Sequence, residues 1–425
     1  MERGKPTYCA FVDLQKAFDS VNREYLWSKL AGLGVSRKMI KILESMYNTA
    51  TLSVRFNRNE VGKKIKTKKG VLQGSQLSAL LFILFISDMP EFIRKGYDNI
   101  YSAKMGDKKV EILLFADDIV LISEKEIGLQ RMLKRLENYC QKWDLTVNVK
   151  KTKVMVFKKG ARIRKKEKWE YNGKEIESVN EFNYLGMQFR NNLKWKTHME
   201  EKMRKATFIS NRIASLNYKY EDIPIKLLLR IWDTMVKPIM LYGTETINVS
   251  TQDYFEKIAR NFYKKILGVA KSVCGLNVNI ILGRDLLETE IKIKRLNYWF
   301  KVQTGCNKWL AEIMNTDEKW IQNAEDDLNK MGLRYIFLNP KIISKRKFKK
   351  IIKQRIFIYL FQPLSLIWRG VRYSQAGTAR FNITTTNQIY KTSPDYYGLL
   401  IARSLPMLLG PIAQVAYHTL VPMLF

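Results

Sequence analysis

Asp117 and Asp118 are adjacent acids between two apolar runs, Ile112-Leu113-Leu114-Phe115 and Ile119-Val120-Leu121-Ile122. Each run has the length and β-branched content of a buried strand. Two carboxylates at the tip of a buried hairpin are costly to desolvate unless something positive meets them. A divalent cation with a phosphate beside it does so. A turn with no further role is the plainer reading of the pair, but Asp-Asp lacks the Gly or Asn that a tight hairpin turn prefers. A third acid, Asp13, stands at the strand-to-loop edge of another apolar strand, residues 8–14. Alone, Asp13 reads as a helix N-cap or a loop acid. Placed beside the 112–122 hairpin in an antiparallel sheet, it comes near Asp117. Three such carboxylates can hold two Mg²⁺ ions, one lowering the pKa of an attacking hydroxyl and one neutralising a triphosphate and its leaving pyrophosphate.

The elements that must position these acids follow from periodicity and punctuation. The pattern predicts helices over 22–30 and 37–47, strands over 51–56 and 64–69, and one apolar helix over 75–93 with Ser75 or Ser78 as its N-cap. A hairpin is predicted over 100–105 and 110–115, joined through Gly106-Asp107. Helical periodicity marks 126–143, and 154–157 and 182–189 read as further strands. From about Trp195 the pattern turns helical, over 196–216, 223–241 and 252–267. The expected class is therefore α+β up to about residue 190, followed by a mostly helical part.

The chain has 425 residues, with 74 Lys plus Arg against 40 Asp plus Glu and a net charge of +34. That excess does not suit an ordinary enzyme of small metabolites and points to nucleic acid as the partner. Basic residues cluster over 63–69, 150–153, 158–168 and 345–355. One such run reads as a solvated face, whereas four with aromatics interleaved suit strand binding and stacking. Cys9, Cys140, Cys274 and Cys306 show no CxxC spacing, so they read as reduced thiols of an intracellular protein rather than zinc ligands. His198 and His418 are the only histidines, which argues against a Ser-His-Asp hydrolase. No secretory signal is visible, so the expected location is the nucleus or the cytoplasm. In the last stretch, 357–425, Asp395 is the only acid, and Pro406, Pro411 and Pro422 interrupt its apolar run. That pattern argues against a membrane span.

Five collinear motifs carry a family resemblance. The stretch from Ala10-Phe11-Val12-Asp13 through Phe18-Asp19-Ser20-Val21 resembles the first palm motif of reverse transcriptases from non-LTR (LINE-class) retrotransposons. Gly70-Val71-Leu72-Gln73-Gly74-Ser75-Gln76-Leu77-Ser78 resembles the next motif, and Phe115-Ala116-Asp117-Asp118 the signature acid pair. Asn148-Val149-Lys150-Lys151-Thr152-Lys153 is similar to the lysine motif that follows, and Phe182-Asn183-Tyr184-Leu185-Gly186 to the primer-grip strand. The resemblance implies an RNA-directed DNA polymerase that uses two Mg²⁺ ions, or Mn²⁺ in their place. Its partners would be an RNA template, a DNA primer or target DNA, and dNTPs, with no membrane. It implies Asp13, Asp117 and Asp118 as catalytic metal ligands, and Phe18 under the incoming sugar, where a bulky ring rejects a 2′-hydroxyl. Gln73 and Gly74 would lie beside the nucleotide, with glycine allowing close backbone approach. Lys151 would face the departing pyrophosphate, and Tyr184, Leu185 and Gly186 would hold the primer end. Plainer readings stay open: Phe18 as a helix core residue, Lys151 as a surface lysine, Tyr184 and Leu185 as strand core.

The implied organisation is a palm over 1–190, made of a small antiparallel sheet backed by helices. A helical thumb-like region over 191–270, a basic helical region over 271–356 and an unassigned apolar extension over 357–425 follow. The chain opens almost at the first motif, so most of the fingers are expected to be missing. A catalytically inactive nucleic-acid-binding remnant is the alternative that this expectation raises. Ser75, Gln76 and Ala79 stand where the family carries Cys or a similar residue and prolines, which relaxes the start of the following helix and touches no ligand.

Overall fold

The run Thr7–Asp13 mixes aromatic and aliphatic side chains, and its residues from Tyr8 to Val12 are buried on both faces. A strand buried on both faces belongs in the middle of a covered sheet, and the computed structural model places it there. The structure describes residues 6–57, 61–72, 74–95, 101–105, 108–158, 168–220, 223–247 and 252–356. Gln73, the Gly106-Asp107 turn, most of the 158–168 basic run and the 357–425 extension therefore lie outside the described residues. Two compact units divide the chain at Glu200, the first also taking Glu312–Thr316.

In chain order the first unit contains β1 (Thr7–Asp13), α1 (Ala17–Ser20), α2 (Arg23–Gly32), α3 (Arg37–Thr49), β2 (Thr51–Leu52), β3 (Ile65–Lys66), α4 (Gln76–Phe85) and α5 (Met89–Arg94). After these come β4 (Ala103–Met105), β5 (Lys108–Val110), β6 (Ile112–Phe115), β7 (Asp118–Ser123), α6 (Glu126–Lys142), β8 (Lys153–Phe157), β9 (Trp169–Tyr171), β10 (Lys174–Ser178), β11 (Glu181–Tyr184) and β12 (Met187–Arg190). Six strands form one sheet in the order β6-β7-β1-β8-β10-β9. Alternation along β1 sends Tyr8, Ala10 and Val12 to one face and Cys9 and Phe11 to the other. The first face packs on Leu26 and Leu30 of α2, Phe82 and Phe85 of α4, and Leu129, Met132, Leu133 and Leu136 of α6. On the second face, Cys9, Phe11, Val120, Met155 and Phe157 are covered by Phe182, Tyr184 and Phe189 of the β11–β12 hairpin. The fold is α+β, as the periodicity predicts.

Several elements depart from the sequence reading. The sheet is mixed rather than wholly antiparallel, because β10 pairs with β8 in parallel. The single helix expected over 75–93 is two, α4 and α5, with Pro90 in the first turn of α5. The break falls at Ile86-Ser87-Asp88, where two polar residues interrupt the apolar run, and Pro90 lacks the N–H that would continue the first helix. The strand expected over 182–189 is the β11–β12 hairpin, reversed at Leu185-Gly186. The strands expected over 51–56 and 64–69 shrink to β2 and β3, two residues each and exposed. β6 is an edge strand whose Leu113 and Phe115 face solvent, so one of the two runs flanking the acids is only half covered.

The second unit is helical. It includes most of α7 (Lys196–Lys219), then α8 (Ile225–Met235), α9 (Lys237–Leu241), α10 (Gln252–Ile266), α11 (Gly275–Ile281) and α12 (Leu287–Thr304). The helix expected over 223–241 is broken into α8 and α9, with Pro238 in the first turn of α9. Trp232 stacks on Phe262 at 5.7 Å in its core. No described helix is long and apolar enough to cross a membrane. All four cysteines are free, Cys9 and Cys140 buried, Cys274 and Cys306 exposed.

Candidate active site

Antiparallel pairing of β1 with β7 sets Asp13 directly opposite Asp118. The register thus puts the third acid against the second member of the pair rather than against Asp117. Asp117 lies in the two-residue loop Ala116-Asp117, which closes β6 onto β7 between Phe115 and Asp118. The turn expected to be disfavoured is present, and it forms because Ala116 takes φ 51. Glycine is the usual residue where the first turn position has positive φ. All three acids are half-buried. Burial, then the negative charges of Asp117 and Asp13, raise the Asp118 carboxyl above the ordinary carboxylate range. The three groups therefore share one electrostatic neighbourhood.

An open cleft of about 320 Å³ borders them, lined by Asp13, Leu14, Gln15, Lys16, Ala17, Phe18, Asp117, Asn148 and Lys151. Asp13 is fastened from both sides of its backbone. The Asn148 N–H donates to the Asp13 carbonyl at 2.8 Å, and the Asp13 N–H donates to Thr152 Oγ1 at 3.3 Å. Thr152 is fully buried, so the two hydrogen bonds tie the turn 148–152 to β1 out of reach of water. Lys151 Nζ reaches within 3.9 Å of Asp13 Oδ2, though its side chain is largely exposed. A water-screened pair of this kind adds little stability, which leaves the lysine free to answer other negative charge. Lys16, at φ 47, turns the chain from β1 into α1. Phe18 lines the cleft and stacks on Phe82 at 4.9 Å. It is thus a packed residue and a cleft wall together, and the two readings of its role do not compete.

The cleft gathers Asp13, Asp117, Phe18 and Lys151, with Asp118 adjoining. Tyr184 packs on Phe11 at 5.3 Å, and its hydroxyl is pushed up to about 12 by burial and then by the charge of Asp118. Leu185 and Gly186 form the turn after it, at φ 48 and 74. Gly74 sits at φ 86 with open space where a Cβ would stand. Its conformation, rather than crowding within the protein, calls for glycine there. Asn148 and Thr152 were inside a quoted motif, but only the structure reveals their grip on Asp13. Gly70 opens the second motif without a role attached to it, and Arg23 had no sequence signal at all. Arg23 is buried and donates to carbonyls of the segment that leads toward Gly74.

Three carboxylates offer the oxygen donors that a hard divalent cation takes, and their mutual repulsion, felt at Asp118, is what such a cation relieves. The donor set fits in type and number. Among the described residues, however, no three His, Cys, Asp or Glu side chains converge closely enough to hold an ion as they stand.

Residues 1–189 match the family described as "Reverse transcriptase (RNA-dependent DNA polymerase)". These residues are similar to the reverse-transcriptase domains of non-LTR retrotransposons. The probable RNA-directed DNA polymerase from transposon BS of Drosophila melanogaster is 27% identical over 260 residues, 59% of this chain and 28% of that protein. The RNA-directed DNA polymerase from mobile element jockey of Drosophila funebris is 23% identical over 267 residues, 61% of this chain and 28% of its own. A Pol polyprotein from the retrotransposable element R2 of Nasonia vitripennis is 30% identical over 161 residues, 38% of this chain and 15% of that protein. The chain thus spans little more than a quarter of the length of the first two relatives. Among solved structures, apo telomerase from Candida tropicalis aligns over 82% of this chain and 52% of its own, with 15% identity and a TM-score of 0.37.

Proposed function

We propose that this chain carries out RNA-templated DNA synthesis, transferring a nucleotidyl group from a dNTP to a primer 3′-hydroxyl. The observation that carries this reading is the opposition of Asp13 and Asp118 across β1 and β7, with Asp117 at the adjoining turn and Phe18 and Lys151 on the same cleft. Asp13, Asp117 and Asp118 would hold Mg²⁺, or Mn²⁺, which when bound supplies activation of the hydroxyl and neutralisation of the triphosphate. The turn 148–152 holds Asp13 in place for that task. The Phe18 ring, backed by Phe82, lies under the sugar and excludes a 2′-hydroxyl. Lys151 meets the charge of the leaving pyrophosphate, and Gln73 and Gly74 border the nucleotide. Tyr184, Leu185 and Gly186 hold the primer end against β1. The helices over 191–270 serve as a thumb, and the net charge of +34 draws in the RNA template and the DNA primer or target strand. The work is done in the nucleus or the cytoplasm.

Extension of a DNA primer annealed to an RNA template, with dNTPs and Mg²⁺, tests this reading. Mg²⁺-dependent extension that disappears in Asp117→Ala is the expected result. Equal extension by wild type and Asp117→Ala overturns the assignment of the acids. Salt-sensitive RNA binding with no extension by wild type replaces polymerisation with a binding role.

A further inference from the structure

Arg23 is 7% exposed and has no acid partner among the described residues' ion pairs. Five neutral acceptors surround its guanidinium instead. Nε donates to the Gly70 carbonyl at 2.9 Å, and one terminal nitrogen to the carbonyls of Tyr47 at 3.1 Å and Thr67 at 2.7 Å. The other terminal nitrogen donates to Thr67 Oγ1 at 2.8 Å and to the Lys69 carbonyl at 3.4 Å. A buried cation with all five donors satisfied holds its neighbours to a fixed geometry that lysine, with three donors on a single atom, cannot reproduce. The segment it grips is also sewn to the loop after Asp13. The Gly70 N–H donates to the Val21 carbonyl and the Val71 N–H to the Phe18 carbonyl, each at 2.8 Å. Gly70 sits at φ 85, and a Cβ there would fall 2.7 Å from the Asp19 carbonyl oxygen.

We infer that Arg23 and Gly70 are positioning residues for sugar selection: they lock segment 67–71 under the Phe18 backbone and so fix the height of the Phe18 ring in the cleft. Neither residue touches the cleft; both act through Phe18. The inference rests on the proposed polymerase reading, in which Phe18 meets the sugar of the incoming nucleotide.

The test compares the affinity for dGTP and GTP of the full chain bound to an RNA template and a primer ended with a dideoxynucleotide. No chemistry is needed, so its outcome is separate from that of the extension assay. Wild type prefers dGTP. Arg23→Gln lowers the dGTP/GTP ratio about tenfold, mainly through tighter GTP binding, while affinity for the primed template stays within twofold. Arg23→Lys recovers part of the ratio. Thr67→Val, which removes only one acceptor and guards against misfolding of the arginine variants, lowers it two- to threefold. An unchanged ratio in Arg23→Gln and Thr67→Val overturns the inference, as does a wild type without preference. A wild type that binds dGTP selectively yet extends no primer overturns polymerisation and leaves the positioning role standing.

Discussion

The β9–β10 and β11–β12 hairpins close with the same backbone and different chemistry. Tyr171 pairs with Lys174 across Asn172-Gly173, at φ 49 and 69. Tyr184 pairs with Met187 across Leu185-Gly186, at φ 48 and 74. Both have the two positive φ values of a type I′ turn, for which Asn-Gly is among the most favoured pairs. A left-handed leucine costs roughly 1–2 kcal/mol, because its Cβ crowds the following carbonyl oxygen. The hairpin at the far edge of the sheet uses the inexpensive pair, whereas the hairpin beside Asp118 does not. Ala116, next to Asp117, and Lys16, on the cleft, show the same left-handed strain. Strain of this kind persists where the surroundings over-determine the backbone, and it gathers at functional sites. Left-handed residues are not confined to the cleft, since Asp144 and Leu193 sit at φ 55 and 57 outside it, but between two hairpins of matched backbone the costlier residue is the one beside Asp118.

The contrast breaks first at the acids. Asp117→Ala should cut primer extension at least about a hundredfold, roughly 2.7 kcal/mol in the barrier, with the fold intact by circular dichroism; near-wild-type extension would remove the reason for the strained turn. Next in size, Asn172→Ala should lower stability by about 1 kcal/mol in urea unfolding, since alanine is a poor left-handed residue, while extension stays unchanged. A loss of extension there would place both hairpins in one functional class. Leu185→Asn should separate the two quantities, raising stability by about 0.5 kcal/mol while lowering extension several-fold. If it lowers stability instead, the leucine is packing rather than presenting.

The smallest effect concerns pH. Asp118 has a raised folded-state pKa, so its ionised form weakens the fold relative to the unfolded chain. Asp118→Asn should therefore raise Tm at neutral pH. The gain should fade as pH falls through the raised folded value toward the unfolded value of about 3.9. Thermal scans of the metal-free protein from pH 7 to pH 4 measure it, and a gain independent of pH would assign the effect to something other than charge.

How much of this was legible depended on which interactions leave a mark in one dimension. The three acids stood out because apolar strands flank them, and burial of charge is visible wherever hydrophobic runs meet it. The α4–α5 break did not stand out, since Ser87 and Asp88 fit the polar side of one long amphipathic helix and Pro90 can sit in a helix's first turn. The β9–β10 hairpin is faint in the sequence although Asn172-Gly173 is a strong turn signal. Its strands are only three and five residues long, and they follow a basic run that reads as solvent-facing charge. Arg23 could not have been found, because four of the five acceptors of its guanidinium are main-chain carbonyls, which leave no residue pattern. The opposition of Asp13 to Asp118 rather than Asp117 needed the register between β1 and β7, two strands far apart in sequence, which no local motif records.

The cysteines also bear on how the molecule can be watched at work. Burial pushes the Cys9 thiol up to about 12 and the Cys140 thiol to about 11, so both stay protonated and shielded at neutral pH. Cys274 is exposed, and the backbone N–H groups of Leu276 and Asn277 favour its thiolate. Thiol-directed dyes will therefore settle on the helical unit, at Cys274 ahead of Cys306, and leave the acid-bearing sheet unmarked. The native chain comes already fitted for fluorescence or spin labels that report on nucleic acid reaching one unit, without an engineered cysteine and without a probe near Asp13.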